Sequence, residues 1–244
     1  MTLQASNITA LITGANRGIG KAITEGLLDA GAVKVYTAVR DLASVRQLAQ
    51  KYGERVVPIE FDLSREETIQ NAVKVAGDVN LVVSNAGVVK LSTPLDDDAV
   101  ESFKYQMEGN VYPLINLANA FGPVLKSNGG GVFVQMNSLA SIKNFLPFTG
   151  YSGSKAAAYA VTQGLREAWV EQGTQVISVI AGPIKTDMAD SAGMGEGAPP
   201  ASIVFDGIMK ALTTGDFFVY PDEMAREVAK IYAPFAKSVL EIES

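Results

Sequence analysis

The sequence predicts an α/β domain built on a parallel sheet, and three observations carry that prediction. Short apolar runs of strand length alternate with helical patterns of about 10–15 residues along most of the chain. The first of those runs passes directly into a glycine-rich turn that opens a helix. Gly14, Arg40, Asp62 and Asn85 then fall one after another just past predicted strands, where parallel sheets with right-handed crossovers place their ligands. At 244 residues, 48% hydrophobic and 19% charged, the chain has the size and polarity of one globular domain with a sizeable core. It shows no internal repeat or linker, so residues 1–244 read as a single domain.

Residues 8–13 are the first strand, followed by Gly14-Ala15-Asn16-Arg17-Gly18-Ile19-Gly20 and a helix over 21–30 that stops at Gly31. Glycines let a backbone approach a pyrophosphate closely, and a helix N-terminus offers N–H donors and positive potential. The spacing is G-x-x-x-G-x-G, not the G-x-G-x-x-G of many dinucleotide-binding turns. Residues 33–39 form the second strand, followed by Arg40 and Asp41. Such folds place an acid near this point to hold a ribose 2′-hydroxyl, whereas Arg40 together with Arg17 suits a 2′-phosphate. NADP is therefore expected over NAD, with Asp41 as the complication, since its carboxylate would suit a ribose hydroxyl.

An amphipathic helix over 42–52 and a third strand over 56–61 lead to Asp62 and Leu63. Ser64 with Glu67 reads as a capping box for a helix reaching about residue 76. The fourth strand, 78–84, ends in Asn85-Ala86-Gly87. Asp96-Asp97-Asp98 suits the start of a helix over 97–108 better than it suits a metal, and a further helix over 110–126 carries Asn110 at the junction. Residues 132–137 are the fifth strand, with Ser138 at its end, and the apolar stretch 145–148 leads into a helix running from Tyr151 to about residue 171. The sixth strand, 174–180, precedes Ala181-Gly182-Pro183-Ile184-Lys185-Thr186. The glycines and prolines of 191–201 predict a hinge, within a mobile substrate loop over about 187–201. A helix from 202, a short strand at 217–220 and a last helix near 222–233 complete the reading.

Composition removes several chemistries. The chain has no Cys and no His, so thiolate nucleophiles and Ser-His-Asp triads are excluded, ordinary zinc catalysis is disfavoured and no metal is expected. A net charge of −6 with no basic block argues against nucleic acid. There is no apolar run of membrane-spanning length, and residues 1–4 lack signal-peptide character, so a cytoplasmic protein is expected. Proton transfer near neutrality must then rest on a perturbed Tyr, Lys, Asp or Glu, or on water. Tyr151 and Lys155 share a helix face at i and i+4. A unit charge ~4 Å from a phenol at an effective dielectric near 20 is worth about 4 kcal/mol, or about three pKa units. The expectation is a phenol lowered toward working pH by a neighbouring ammonium, able to act as a general acid/base.

Taken together, Thr13-Gly14-x-x-x-Gly18-x-Gly20, Asn85-Ala86-Gly87, Asn110, Ser138 and Tyr151-x-x-x-Lys155 resemble the short-chain dehydrogenase/reductase family, over residues 8–186. The resemblance implies a single-domain Rossmann fold: a doubly wound, seven-stranded parallel sheet flanked by helices on both faces. It also implies a nicotinamide cofactor and commonly a homotetramer. By the same resemblance Tyr151 is the acid/base, Lys155 lowers its pKa and holds the nicotinamide ribose, Ser138 binds the substrate oxygen, and Asn110 holds a relay water. Gly14, Asn16, Arg17, Gly18, Ile19, Gly20, Arg40, Asp62, Leu63, Asn85, Ala86, Gly87, Gly182, Ile184 and Thr186 would line the cofactor, with Thr186 at the carboxamide. Ser138 as a strand-end turn residue and Asn110 as a helix-junction residue remain the structural alternatives. Ala181-Gly182-Pro183 departs from the family's usual Pro-Gly, which leaves the path toward the nicotinamide open.

The expected activity is reduction of a ketone or aldehyde to an alcohol, or the reverse. Val88, Met136, Phe145, Leu146, Phe148 and Met188 flank the expected pocket and point to an apolar substrate. Reduction of a 3-oxoacyl thioester on an acidic carrier is the alternative, with Lys90, Lys143 and Lys185 as candidate docking cations. A dinucleotide-binding sensor without turnover is the third reading. Small residues in 110–126 and 151–171 suit close packing, and a homo-oligomer, dimer or tetramer, is expected from the family.

Overall fold

A computed structural model of the chain describes residues 3–62 and 65–240. Seven parallel strands form one sheet in the order β3-β2-β1-β4-β5-β6-β7: β1 is Thr9–Thr13, β2 Lys34–Val39, β3 Val56–Glu60, β4 Leu81–Ser84, β5 Val132–Ser138, β6 Gln175–Ala181 and β7 Phe218–Val219. The helices are α1 Gly18–Asp29, α2 Arg46–Tyr52, α3 Glu66–Val75, α4 Ala99–Asn110, α5 Tyr112–Ser127, α6 Thr149–Ala168, α7 Asp187–Ser191, α8 Ser202–Thr214 and α9 Glu223–Leu240. This is the doubly wound Rossmann arrangement. β1 and β4 are buried along their whole length because helices cover both faces of the sheet. One face packs on α1, α2 and α8 through Ile12, Ile23, Val134 and Ile208, and the other on α3, α5 and α6 through Leu11, Phe121, Phe133 and Ala158. Among the described residues, no helix is long and apolar enough to cross a membrane.

Several elements differ from their sequence-based bounds for local reasons. The span 42–52 divides into a 3-10 turn, Leu42–Val45, and α2, because the Asp41 carboxylate accepts the Ala43 N–H (2.9 Å) and tightens the turn. The proposed capping box cannot be assessed, since Ser64 lies outside the described residues. Glu67 pairs with Arg65 (2.8 Å), which stands at the N-cap of α3 without a capping side chain. α4 begins at Ala99, not 97: Asp96 closes a turn onto Thr93, and Asp98 pairs with Lys90 (2.7 Å). α9 continues past Pro234 to Leu240, because Val228, Tyr232 and Leu240 pack on an aromatic cluster of Tyr159, Phe217 and Phe218, and Ala236 is buried beyond the proline. α7 is a helical turn inside the segment expected to be an irregular loop.

The strand order reverses between β1 and β4, which opens a crevice at their carboxyl ends. The Thr13 hydroxyl fastens its two lips: it accepts the N–H groups of Asn85 (2.9 Å) and Ala86 (3.0 Å) and reaches the Val83 carbonyl at 3.4 Å. Asn85 returns its side-chain amide to the Thr13 carbonyl (2.9 Å). Thr13→Val keeps the shape and leaves those two N–H groups without their acceptor. The expected loss is about 1–3 kcal/mol, read as a lower urea midpoint at unchanged slope.

Candidate active site

The glycine turn owes its shape to two positions. Gly14 has φ +67°, a left-handed backbone open to glycine, and a Cβ on Gly20 would lie 2.3 Å from the Gly14 carbonyl oxygen. The turn therefore closes directly onto the first residues of α1. Arg17 stands at the N-cap with no capping side chain, and no acid occupies the first turn, so among the described residues the leading N–H groups meet no carboxylate or hydroxyl. That donor set fits a pyrophosphate. Asn16 precedes the Arg17 N-cap, and Gly18 and Ile19 open the helix. Thr186 lies across from it, its methyl 3.0 Å from where a Cβ on Gly18 would sit.

The rest of the predicted cofactor wall lies on successive strand ends. Arg40 follows β2 and is exposed. Asp41 caps the next turn, one carboxylate oxygen accepting the Ala43 N–H. Arg17 turns away toward Asp187 at the start of α7 (3.5 Å). Asp62 is positioned through its backbone, its N–H and carbonyl both 3.0 Å from the Thr68 hydroxyl. Leu63 lies outside the described residues. Past β4, a Cβ on Gly87 would meet the Asn110 Oδ1 at 2.8 Å and approach the Lys155 ammonium at 3.9 Å, so Gly87 leaves open the approach to both. The unusual Ala181-Gly182-Pro183 path has a partner that the sequence did not announce. Buried Asp222 takes the Gly182 N–H on one carboxylate oxygen (2.7 Å) and caps α9 at Ala225 with the other (2.9 Å). Ile184 is buried after it, and Thr186 caps α7. The one signal for Asp222 was its place ahead of a helix.

The candidate reacting groups converge where β5 meets α6. Ser138 ends β5, and its hydroxyl accepts the Ala140 N–H (3.1 Å) and stands near enough to the Tyr151 phenol to offset part of the effect of burial on it. It is thus a turn residue and a neighbour of the phenol together. Lys155 is buried and donates to the Met136 carbonyl (2.8 Å), with its ammonium 5.7 Å from the centre of the Tyr151 ring. Burial pushes the phenol up to about 12, opposed by the Ser138 hydroxyl. Burial pulls the Lys155 ammonium down to about 8. The phenol's direction is opposite to the expected one. Nζ is held on a backbone carbonyl, and desolvation outweighs its attraction for a phenolate at that separation.

Asn110 serves the structure first. Its side chain brackets Val88, accepting the N–H (2.8 Å) and donating to the carbonyl (3.0 Å), and also donates to Ser154 (2.9 Å). It thereby ties the β4 end to α6 beside Lys155. Of the apolar residues expected around the pocket, Met136 belongs to the sheet core and Val88 packs against Gly109 of α4. Leu146 and Met188 are exposed, with Phe145 and Phe148 half-buried. The small residues of the long helices serve packing within the chain: Gly153 against Phe103 and Gly122 against Trp169.

A model of the short chain dehydrogenase family matches residues 8–197. This chain belongs to that family. It is similar to a short chain dehydrogenase from Burkholderia cenocepacia J2315, solved in complex with NADP, at 33% identity and a TM-score of 0.87, over 97% of each chain. The NADPH-dependent 3-dehydrocapnine reductase of Ornithobacterium rhinotracheale is 29% identical over 235 residues, 92% of this chain and 79% of that protein. A family member from Burkholderia phymatum, solved with NAD, shares the fold at a TM-score of 0.84 and 18% identity, covering 99% of this chain and 98% of that one. The chain is accordingly an oxidoreductase of the short-chain dehydrogenase/reductase type.

Burial of Lys155 has a measurable consequence. The folded chain releases this proton near pH 8 and the unfolded chain near 10.5, so the native state binds fewer protons across that window and stability rises with pH through it. Tyr151 acts with the opposite sign above pH 10, where the unfolded chain ionises first and the folded phenol waits until about 12. The stability advantage of Lys155→Met over wild type should shrink by about 3 kcal/mol from pH 7 to pH 10.5 in urea unfolding. A constant difference would show that the ammonium is not desolvated.

Proposed function

We propose that this oxidoreductase uses NADP(H) to interconvert a ketone or aldehyde with its alcohol, with Tyr151 as the general acid/base. The observation that carries the reading is the set of half-buried Ser138 and Tyr151 with buried Lys155 at the carboxyl edge of β5, in the same sheet whose β1 runs into the glycine turn that opens α1. The residues present fit a dinucleotide. The N–H groups opening α1 take the pyrophosphate, Arg40 and Arg17 take the 2′-phosphate, and Thr186 with Ile184 takes the carboxamide. The NADP complex of the Burkholderia cenocepacia protein and the NADPH dependence of the Ornithobacterium reductase support that choice.

The cofactor, when bound, supplies or accepts the hydride. In reduction, Ser138 and Tyr151 donate hydrogen bonds to the carbonyl oxygen as its charge grows, and Tyr151 gives up its proton to complete the alcohol. A phenol held above neutrality by burial is fully protonated for this role. Lys155 then faces a new phenolate. Its ammonium stabilises that charge more strongly than it would in water, because the site is dry. Lys155 also marks the upper limit of the working range, since it loses its proton near pH 8 in the free protein. Asn110 holds the Val88 backbone and Ser154, and so fixes the wall beside the ammonium.

The substrate is an apolar carbonyl compound, a reading supported by Phe145, Leu146 and Phe148 ahead of α6 and Met188 in α7, all exposed or half-buried. The carrier-bound thioester reading loses support. Lys90 and Lys185 are neutralised by Asp98 and Asp190 (2.7 and 2.5 Å), while Lys143 lies over the Phe145 ring. Self-association through α4 and α5 belongs to the same proposal, on the strength of Val100, Tyr105 and Tyr112 exposed along them.

Tyr151→Phe is expected to lower kcat/KM for NADPH-dependent reduction by about 10²–10⁴-fold with NADPH affinity intact, measured on a panel of ketones and aldehydes. Near-full activity in that variant would remove Tyr151 from the chemistry. Arg40→Ala is expected to weaken NADPH binding about tenfold or more and leave NADH unchanged, because a charge-assisted contact to one phosphate is lost. Equal effects on the two cofactors would overturn the NADP assignment.

A further inference from the structure

The segment after β6 leaves the sheet at Thr186, forms α7 and returns to it. Its own hydrogen bonds close it into a loop: Asp190 N–H to the Thr186 carbonyl (2.9 Å), Met194 N–H to Ala189 (2.8 Å), and Lys185 N–H to the Pro199 carbonyl (2.9 Å). Lys185 and Asp190 pair within it as well. Among the described residues, one polar side-chain contact joins 187–198 to another part of the fold: Arg17, from the glycine turn, to Asp187 (3.5 Å). Arg17 is also one of the two cations assigned to the 2′-phosphate. Arg40, the other, has no acidic partner within ion-pair distance among the described residues.

We propose that Asp187 is a cofactor-selectivity residue that competes with the 2′-phosphate for Arg17. The competition couples cofactor identity to the α7 segment. A dinucleotide bearing the 2′-phosphate draws the guanidinium off Asp187 and loosens the tie between α7 and the glycine turn. A dinucleotide with a 2′-hydroxyl leaves the tie in place. The geometry suits an exchange: both partners are largely exposed, so Arg17 gives up a solvent-screened contact and gains a bidentate one to phosphate. Thr186, next in sequence to Asp187, packs on Gly18, next in sequence to Arg17, so a change in the pair is felt where the carboxamide is to be held.

The inference rests on the NADP(H) reading, and the test separates the two. Dissociation constants for NADPH and NADH are measured by titration on wild type, Asp187→Asn, Arg17→Ala, the double variant and Arg40→Ala. Asp187→Asn should move the NADH-to-NADPH ratio about two- to five-fold in favour of NADPH, the range of an exposed ion pair. That shift should vanish in the Arg17→Ala background. An unchanged ratio, or a shift that persists without Arg17, overturns the proposal, the latter by showing a general effect of negative charge. If Arg40→Ala leaves NADPH binding unaffected, the NADP reading itself fails, whatever Asp187 does.

Discussion

A buried ammonium resting on one backbone carbonyl is the constraint on which this site depends. β4 makes its last ladder pair at Ser84 opposite Gln135, so the Met136 carbonyl lies just beyond the pairing with that neighbour. Lys155 and the Gln135 side chain both donate to it (2.8 and 3.1 Å). The early end of one strand thus creates the seat for a cation, and α6 must lie where its second turn reaches that seat. Because a neutral dipole, not a carboxylate, receives the charge, desolvation governs the lysine and holds it close to its titration point. The same dryness keeps the phenol one turn earlier in its acid form.

Close backbone approach brings the remaining parts into register with that pair. Gly20 lets α1 start against the Gly14 carbonyl, Gly18 lets Thr186 come down on the turn, and Gly87 leaves space before Asn110 and Lys155. The first contact folds the turn after β1 onto its own helix, the other two bring strand-end loops against segments far along the chain, and an added methyl group would crowd each. Asp222 and Thr68 act one step further out, by holding the backbone of Gly182 and Asp62 in place. The crevice is therefore set by packing and by backbone hydrogen bonds, with few ion pairs. This agrees with the exposure of almost every pair the molecule does make, including the Arg17–Asp187 contact that joins the glycine turn to α7.

The parallel sheet, its strand ends and the family's motif residues were legible in the sequence because they rest on local signals. Apolar periodicity, glycine at tight turns, and a tyrosine and a lysine four residues apart need no knowledge of distant neighbours. What stayed hidden depended on partners far along the chain. Asp222 meets Gly182 across 40 residues, Arg17 meets Asp187 across 170, and Asn110 meets Ser154 across 44. The extension of α9 through Pro234 was equally hidden, since it is packing on Tyr159 and Phe217 that keeps a helix going where local propensity would end it.

The direction of the Tyr151 shift shows the same division most clearly. Sequence by itself determined that a phenol and an ammonium share one helix face at the mouth of a parallel sheet. Only the tertiary structure decided that the ammonium is turned onto Met136 and that a buried lysine stands behind a half-buried phenol, where desolvation acts on each separately. Spacing along a helix sets which side chains are neighbours. The dielectric around them, and the dipole the charge rests on, come from segments the helix meets only when the chain has folded.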